Sequence, residues 1–199
     1  MSEKYVPTFT LNDGVEVPAV GLGTWQMQGD EVITAVRSAI DTGYRHIDTA
    51  AFYQNEADIG RAIHDAISAG DVTREELFIT SKVWNDQQSD HEVQAAFRAS
   101  LTNLGLDYLD CYMVHWPCPS TGRHVERFAA LSTLQGLGDV RSIAVANYNG
   151  DQLREVQEKT GIVPTINQVE LHPGFSQAEL RETHAQLGVL TEAWSPLAQ

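Results

Sequence analysis

Glu31-Val-Ile-Thr-Ala-Val-Arg-Ser-Ala-Ile-Asp-Thr-Gly-Tyr-Arg-His-Ile-Asp48 holds a helix, a stop and a strand in succession. Val32, Ala35, Val36, Ala39 and Ile40 fall at i, i+3, i+4, i+7 and i+8, which lines one face of an α-helix with apolar side chains. Gly43 ends that helix, because glycine takes a left-handed backbone without steric cost. His46 to Asp48 follows as a short strand. The unit then repeats. Ile59, Ala62, Ile63, Ala66 and Ile67 stop at Gly70 and lead to a strand over Leu77 to Val83. Val93, Ala96, Phe97, Leu101 and Leu104 stop at Gly105 and lead to Leu109 to Val114. Weaker helical patterns run from Val125 to Leu137, Leu153 to Thr160 and Ala178 to Leu187, with strands over Ser142 to Ala146, Thr165 to Val169 and Val189 to Trp194. Ser89 with Glu92, and Ser176 with Glu179, have the spacing of capping boxes at two helix starts.

With Val20 to Gly23 counted, seven strands alternate with six helices, which predicts an α/β fold: a parallel barrel or a doubly wound open sheet. Gly21-Leu-Gly23 is not continued by the further glycines of a dinucleotide fingerprint at a helix start, so the barrel is the better reading. Upstream, Asn12-Asp13-Gly14 sits between alternating residues of Phe9 to Val17 and predicts a β-hairpin cap. The whole of residues 1–199 is expected to form one domain, since no linker or composition shift interrupts it.

A hydrophobic content of 42% supports a sizeable core. The formal charge of -14 opposes nonspecific binding to nucleic acid or anionic lipid, because its field repels phosphate. A nucleotide cofactor stays open, since backbone amides and a cation or two can hold a phosphate locally. No signal-like run opens the chain and no stretch of about 18 apolar residues occurs, so a cytoplasmic location is expected. Cys111 and Cys118 make no disulfide framework, and Cys111 reads as a buried thiol inside a strand.

A parallel barrel forms its active site at the C-terminal ends of its strands. Asp48 ends the second strand and Tyr53 follows on its loop; Lys82 ends the third and His115 the fourth; Asn147 and Gln168 lie at or near the ends of the fifth and sixth. Trp25, Trp84, Trp116 and Trp194 stand at or just after strand ends, which predicts an aromatic-walled pocket at the barrel mouth. A phenol of pKa about 10 is a poor acid at neutral pH, but a nearby ammonium lowers that value. Lys82 is the expected ammonium, Asp48 its anchor, Tyr53 the acid, and His115 a donor to a carbonyl oxygen. Singly, Lys82 reads as a solvated charge, Asp48 as a turn cap, Tyr53 as a packing residue and His115 as a core histidine; their common position outweighs those readings. His64, His91, His124 and His184 read as surface residues without partners, and His172, before Pro173, as fixing a turn. A metal-dependent hydrolase would use His46 and Asp48 beside His115, but too few histidines stand at strand ends and Lys82 would repel the ion, so no metal is expected.

Gly43 to Gly60, Phe78-Ile-Thr-Ser-Lys82-Val-Trp, Val114-His115-Trp-Pro117, Ile166-Asn-Gln168-Val-Glu and Ala193-Trp-Ser-Pro-Leu197 together resemble the aldo-keto reductase family over essentially the whole chain, most nearly bacterial 2,5-diketo-D-gluconate reductases. The resemblance implies a (β/α)8 barrel and NADPH-linked reduction of a small carbonyl compound. It implies that Tyr53 donates the proton, that Lys82 and Asp48 tune it, and that His115 orients the carbonyl. It assigns Asn147 and Gln168 to the nicotinamide carboxamide, Trp194 to stacking on its ring, Ser195 and Leu197 to the pyrophosphate loop, and Trp25, Trp84 and Trp116 to the substrate walls. Ala146 stands where the family carries a serine that also meets the carboxamide; losing one such bond costs about 0.5–1.5 kcal/mol, which weakens cofactor binding without abolishing it. The family continues through an eighth strand and helices that grip the 2′-phosphate, so a C-terminally truncated barrel is expected. Closed, it would be a monomer; open, the edges of its first and seventh strands invite association. A noncatalytic or impaired nucleotide-binding barrel is the competing reading.

Overall fold

Strands β1 (Thr8–Thr10) and β2 (Glu16–Pro18) pair antiparallel around the expected turn, in a computed structural model that describes residues 7–87 and 89–198. Beyond them β3 (Gly21–Gly23), β4 (His46–Asp48), β5 (Phe78–Val83), β6 (Leu109–Val114), β7 (Val140–Ala146), β8 (Ile166–Glu170) and β9 (Leu190–Trp194) pair in parallel, in sequence order. Helices α1 (Gly29–Thr42), α2 (Glu56–Ala69), α3 (Asp90–Leu104), α4 (His124–Leu137), α5 (Gly150–Thr160) and α6 (Ala178–Leu187) connect them. The sheet curls as an incomplete barrel of the (β/α)8 type, with β3 and β9 at its two edges.

The apolar stripes read from the sequence face the sheet. Val32, Val36 and Ile40 of α1, Ile59, Ala62 and Ile63 of α2, and Val93 and Phe97 of α3 join the main core outside the strands. A smaller cluster fills the lower barrel, where Leu11 and Val17 of the hairpin meet Phe78, Cys111, Met113, Ala144 and Ile166. The hairpin therefore plugs the N-terminal end, leaving the C-terminal end open for a site. A Cβ on Gly60 would stand 2.5 Å from the Leu104 carbonyl oxygen, so α2 can approach the end of α3 only with glycine there.

The capping box at Ser89 and Glu92 forms, but the one expected at Ser176 and Glu179 does not. Gln177 becomes the residue before α6, in a left-handed conformation, and its side chain donates to the Glu170 carbonyl. The helix runs over Ala178–Leu187 as expected, but Gln177 rather than Ser176 precedes it, which takes Ser176 out of capping position. Asn149 and Gln152 form a box at α5 instead. Among the described residues no helix is long and apolar enough to cross a membrane.

Candidate active site

Asp48 closes β4 with its side chain turned into the barrel, and Lys82 lies near the end of β5, wholly buried. The ammonium donates to both Asp48 oxygens at 2.7 and 2.6 Å and to the Thr49 carbonyl at 3.0 Å. Tyr53 ends a short 3-10 turn, Ala51–Tyr53, which returns it over the pair, with the Lys82 ammonium 5.2 Å from its ring centre. His115, just beyond β6, meets the Tyr53 ring edge-on at 5.5 Å and the Trp84 ring at 5.1 Å. The four polar residues expected at strand ends are thus brought together. Asp48, Tyr53 and His115 border a cavity of about 890 Å³, with Lys82 buried behind them; the cavity is within the size range of small-molecule sites and also follows the gap between β3 and β9.

The electrostatics differ from expectation at one point. Burial raises the Tyr53 pKa above the ordinary phenol value, Lys82 opposes that rise, and Asp48 adds to it. Desolvation of a phenolate outweighs the ammonium's attraction, so Tyr53 keeps its proton in the resting site rather than being acidified. Burial works against the Lys82 charge too, but Asp48, Tyr53 and Glu192 together outweigh it, and the ammonium is held above its usual value. For His115, burial assisted by Lys82 lowers the pKa to about 3 against the pull of Asp48, leaving a neutral ring. Its Nδ1 is buried without a partner among the described residues.

Gln168 and Asn147 close the other side. The Gln168 Nε2 donates to Asp48 Oδ1 at 2.9 Å and to Glu192 Oε1. Carboxylates only accept, so the atom between them must be the amide nitrogen, and the Gln168 oxygen is turned away from them. Asn147, with φ of 64°, donates to the His115 carbonyl and accepts from the Trp194 indole at 2.9 Å. Trp25, Trp84, Trp116, Trp194 and Ser195 all line the cavity. Leu197 does not; it stands 94% exposed on the turn that follows β9.

Several lining residues escaped the sequence reading, and Phe52 and Glu192 bear most on the site. Phe52 stacks on Trp84 at 3.8 Å and on Trp25 at 5.9 Å, which joins those walls into one aromatic surface. Glu192 stands two residues before Trp194 and therefore on the same face of β9, a period that could have revealed it. Two histidines are corrected. His184 is buried, bridging Asn167 and Thr191, and His124 is buried 3.2 Å from Glu155. His184 lies on the face of α6 that meets β8 and β9, and His124, at the start of α4, packs edge-on against the Tyr148 ring. His46 bonds Thr80 and packs on Phe78 within the barrel. His172 accepts from the Gly174 amide, holding its turn.

A model of the Aldo/keto reductase family matches residues 19–199. An aldo-keto reductase of Mycolicibacterium smegmatis is 49% identical over 193 residues, 97% of this chain and 69% of that protein. A 2,5-diketo-D-gluconic acid reductase B of a Corynebacterium species is 44% identical over 194 residues, 98% of this chain and 69% of its own length. The solved structure of a Bombyx mori aldo-keto reductase in complex with NADP superposes with a TM-score of 0.89 at 41% identity, covering 96% of this chain and 66% of that one.

Proposed function

Because the chain belongs to the aldo/keto reductase family, we propose that it is an NADPH-dependent oxidoreductase that reduces a small aldehyde or ketone to the alcohol, with Tyr53 as the proton donor. One observation carries this reading: Asp48, Tyr53 and His115 converge on a single cavity from successive strand ends, with the Lys82 ammonium buried directly behind Asp48.

The residues present fit a nicotinamide. The Gln168 oxygen is an acceptor that takes no bond from the described residues, and Asn147 keeps a second amide N–H, so a carboxamide could be met on both its edges. Trp194, whose indole N–H is tied to Asn147, presents its ring to the same cavity, and Ser195 and Leu197 would continue around the phosphates. When bound, the reduced dinucleotide supplies the hydride.

The chain's own part is orientation and proton delivery. A neutral His115 with an unpartnered buried Nδ1 carries its proton on Nε2, because burying an unpaired N–H costs more than burying a lone pair. That N–H would hold the carbonyl oxygen beside Tyr53. As negative charge grows on the oxygen, the Tyr53 hydroxyl gives up its proton and Lys82 stabilises the phenolate left behind. Phe52 and the tryptophans exclude water from one side.

The test is NADPH oxidation by the purified chain with an aryl aldehyde, followed by its absorbance and by alcohol formed. Matching consumption and product is expected. Binding of NADPH with no turnover across a panel of aldehydes and ketones would sink the catalytic reading in favour of a nucleotide-binding barrel.

A further inference from the structure

Arg127, in the first turn of α4, is the largest fully buried side chain among the described residues, and no carboxylate there pairs with it. Its Nη1 donates to the Asn85 carbonyl at 2.9 Å and its Nη2 to the Pro117 carbonyl at 2.6 Å, while Nε has no partner. Asn85 directly follows Trp84, and Pro117 directly follows Trp116. One planar guanidinium thus joins the loops after β5 and β6 immediately beside the two tryptophans that line the cavity. The third loop is tied to the same turn, since the Tyr148 hydroxyl donates to the His124 carbonyl.

A charge buried without a counter-ion is a costly space filler, and an apolar side chain of similar volume would fill the gap with less desolvation. What the apolar side chain cannot do is hold two carbonyls at a set separation. Arginine can, because its nitrogens form a rigid fork, whereas lysine offers one point charge on a flexible stem. Trp84 is already fixed on its inner side by Phe52 and His115, so the Asn85 bond completes its placement. Trp116 is 41% exposed and makes no ring contact among the described residues, so its position depends more heavily on the Pro117 anchor.

Resting on the reductase reading above, we propose that Arg127 is a positioning residue that sets the spacing between the Trp84 and Trp116 walls and so selects carbonyl substrates large enough to touch both. The test compares Arg127→Met and Arg127→Lys with the parent, using propanal as a substrate too small to span the walls and 2-naphthaldehyde as one that does. NADPH affinity is read separately from protein fluorescence. In Arg127→Met, KM for the naphthyl aldehyde is expected to rise about ten- to a hundredfold, with kcat, the propanal constants and NADPH affinity within about threefold of the parent. Arg127→Lys should fall between, having the charge but one anchor; it also carries the test should the methionine variant fail to fold. Equal losses for both aldehydes and NADPH, or no change in any of them, would overturn the proposal and leave Arg127 a stabilising residue only. A parent chain that turns over neither aldehyde would instead overturn the reductase reading, and this proposal with it.

Discussion

Two buried carboxylates, Asp48 at one end of the barrel and Asp110 at the other, show what separates a reactive ion pair from a structural one. Asp110 is wholly buried and accepts from Arg74 at 2.8 Å, Arg141 at 3.0 Å and the Ile79 amide at 2.9 Å. Arg74 in turn caps the Leu77 and Tyr108 carbonyls and lies over the Tyr108 ring. Apart from the Arg74 Nε, which is buried without a partner, that network ends on backbone, on other side chains or in solvent at Arg141, and none of its residues lines the cavity. Asp48 has equally good partners, but its network runs through Lys82 to Tyr53 and through Gln168 to an amide oxygen, and both routes end at the cavity. Burial and pairing are common to both sites. Only the second leaves polar atoms facing space that a ligand can fill.

The widest separation of the two should come from Tyr53→Phe, expected to lower kcat for aldehyde reduction by about 10²–10⁴ while the unfolding midpoint hardly moves, as read by steady-state kinetics and thermal denaturation. Undiminished turnover would remove Tyr53 as the acid. Asp110→Ala should do the converse, costing about 3–5 kcal/mol of stability in urea unfolding with kcat per folded molecule unchanged, because it leaves the largely buried Arg74 without its carboxylate, far from the cavity. A lowered kcat with stability intact would make the bottom network more than structural. Glu192→Leu sharpens the comparison within the upper site. Gln168 loses one of two carboxylate acceptors, so NADPH affinity should weaken about three- to tenfold with little change in kcat, measured by fluorescence titration.

The last contrast is in pH dependence. His115, with a pKa of about 3, and His184, at about 4, both bind protons less readily folded than unfolded, where imidazole titrates near 6.5. Below that unfolded value the unfolded chain takes up more protons, so the stability these rings contribute is complete above about pH 6.5 and is lost as pH falls through the folded values. Urea midpoints should therefore decline from pH 7 to pH 5, whereas kcat/KM should show no His115 inflection there. An inflection near 6.5 that vanishes in His115→Asn would show that the ring titrates in the working enzyme.

Much of the fold was legible because it rests on local periodicity. The stripe Val32, Val36, Ile40 and the stop at Gly43 forecast α1 with its cap, and the strands fell within a few residues of their observed bounds. The strand-end placement of Asp48, Lys82 and His115 was also readable, since parallel topology sends every strand's C-terminal end to one rim. The cap at α6 was not, because Gln177 in a left-handed conformation displaces Ser176 from the capping position although the helix bounds agree.

The sequence alone determined the alternation of elements, the family resemblance and the set of polar groups at the rim, because each follows from spacing along the chain. Tertiary structure decided that Tyr53 is a protonated phenol, that His115 is neutral, that Glu192 shares the Gln168 amide and that Arg127 joins two loops. Those outcomes turn on desolvation and on distances between residues far apart in the chain, and both quantities exist only once the barrel has folded.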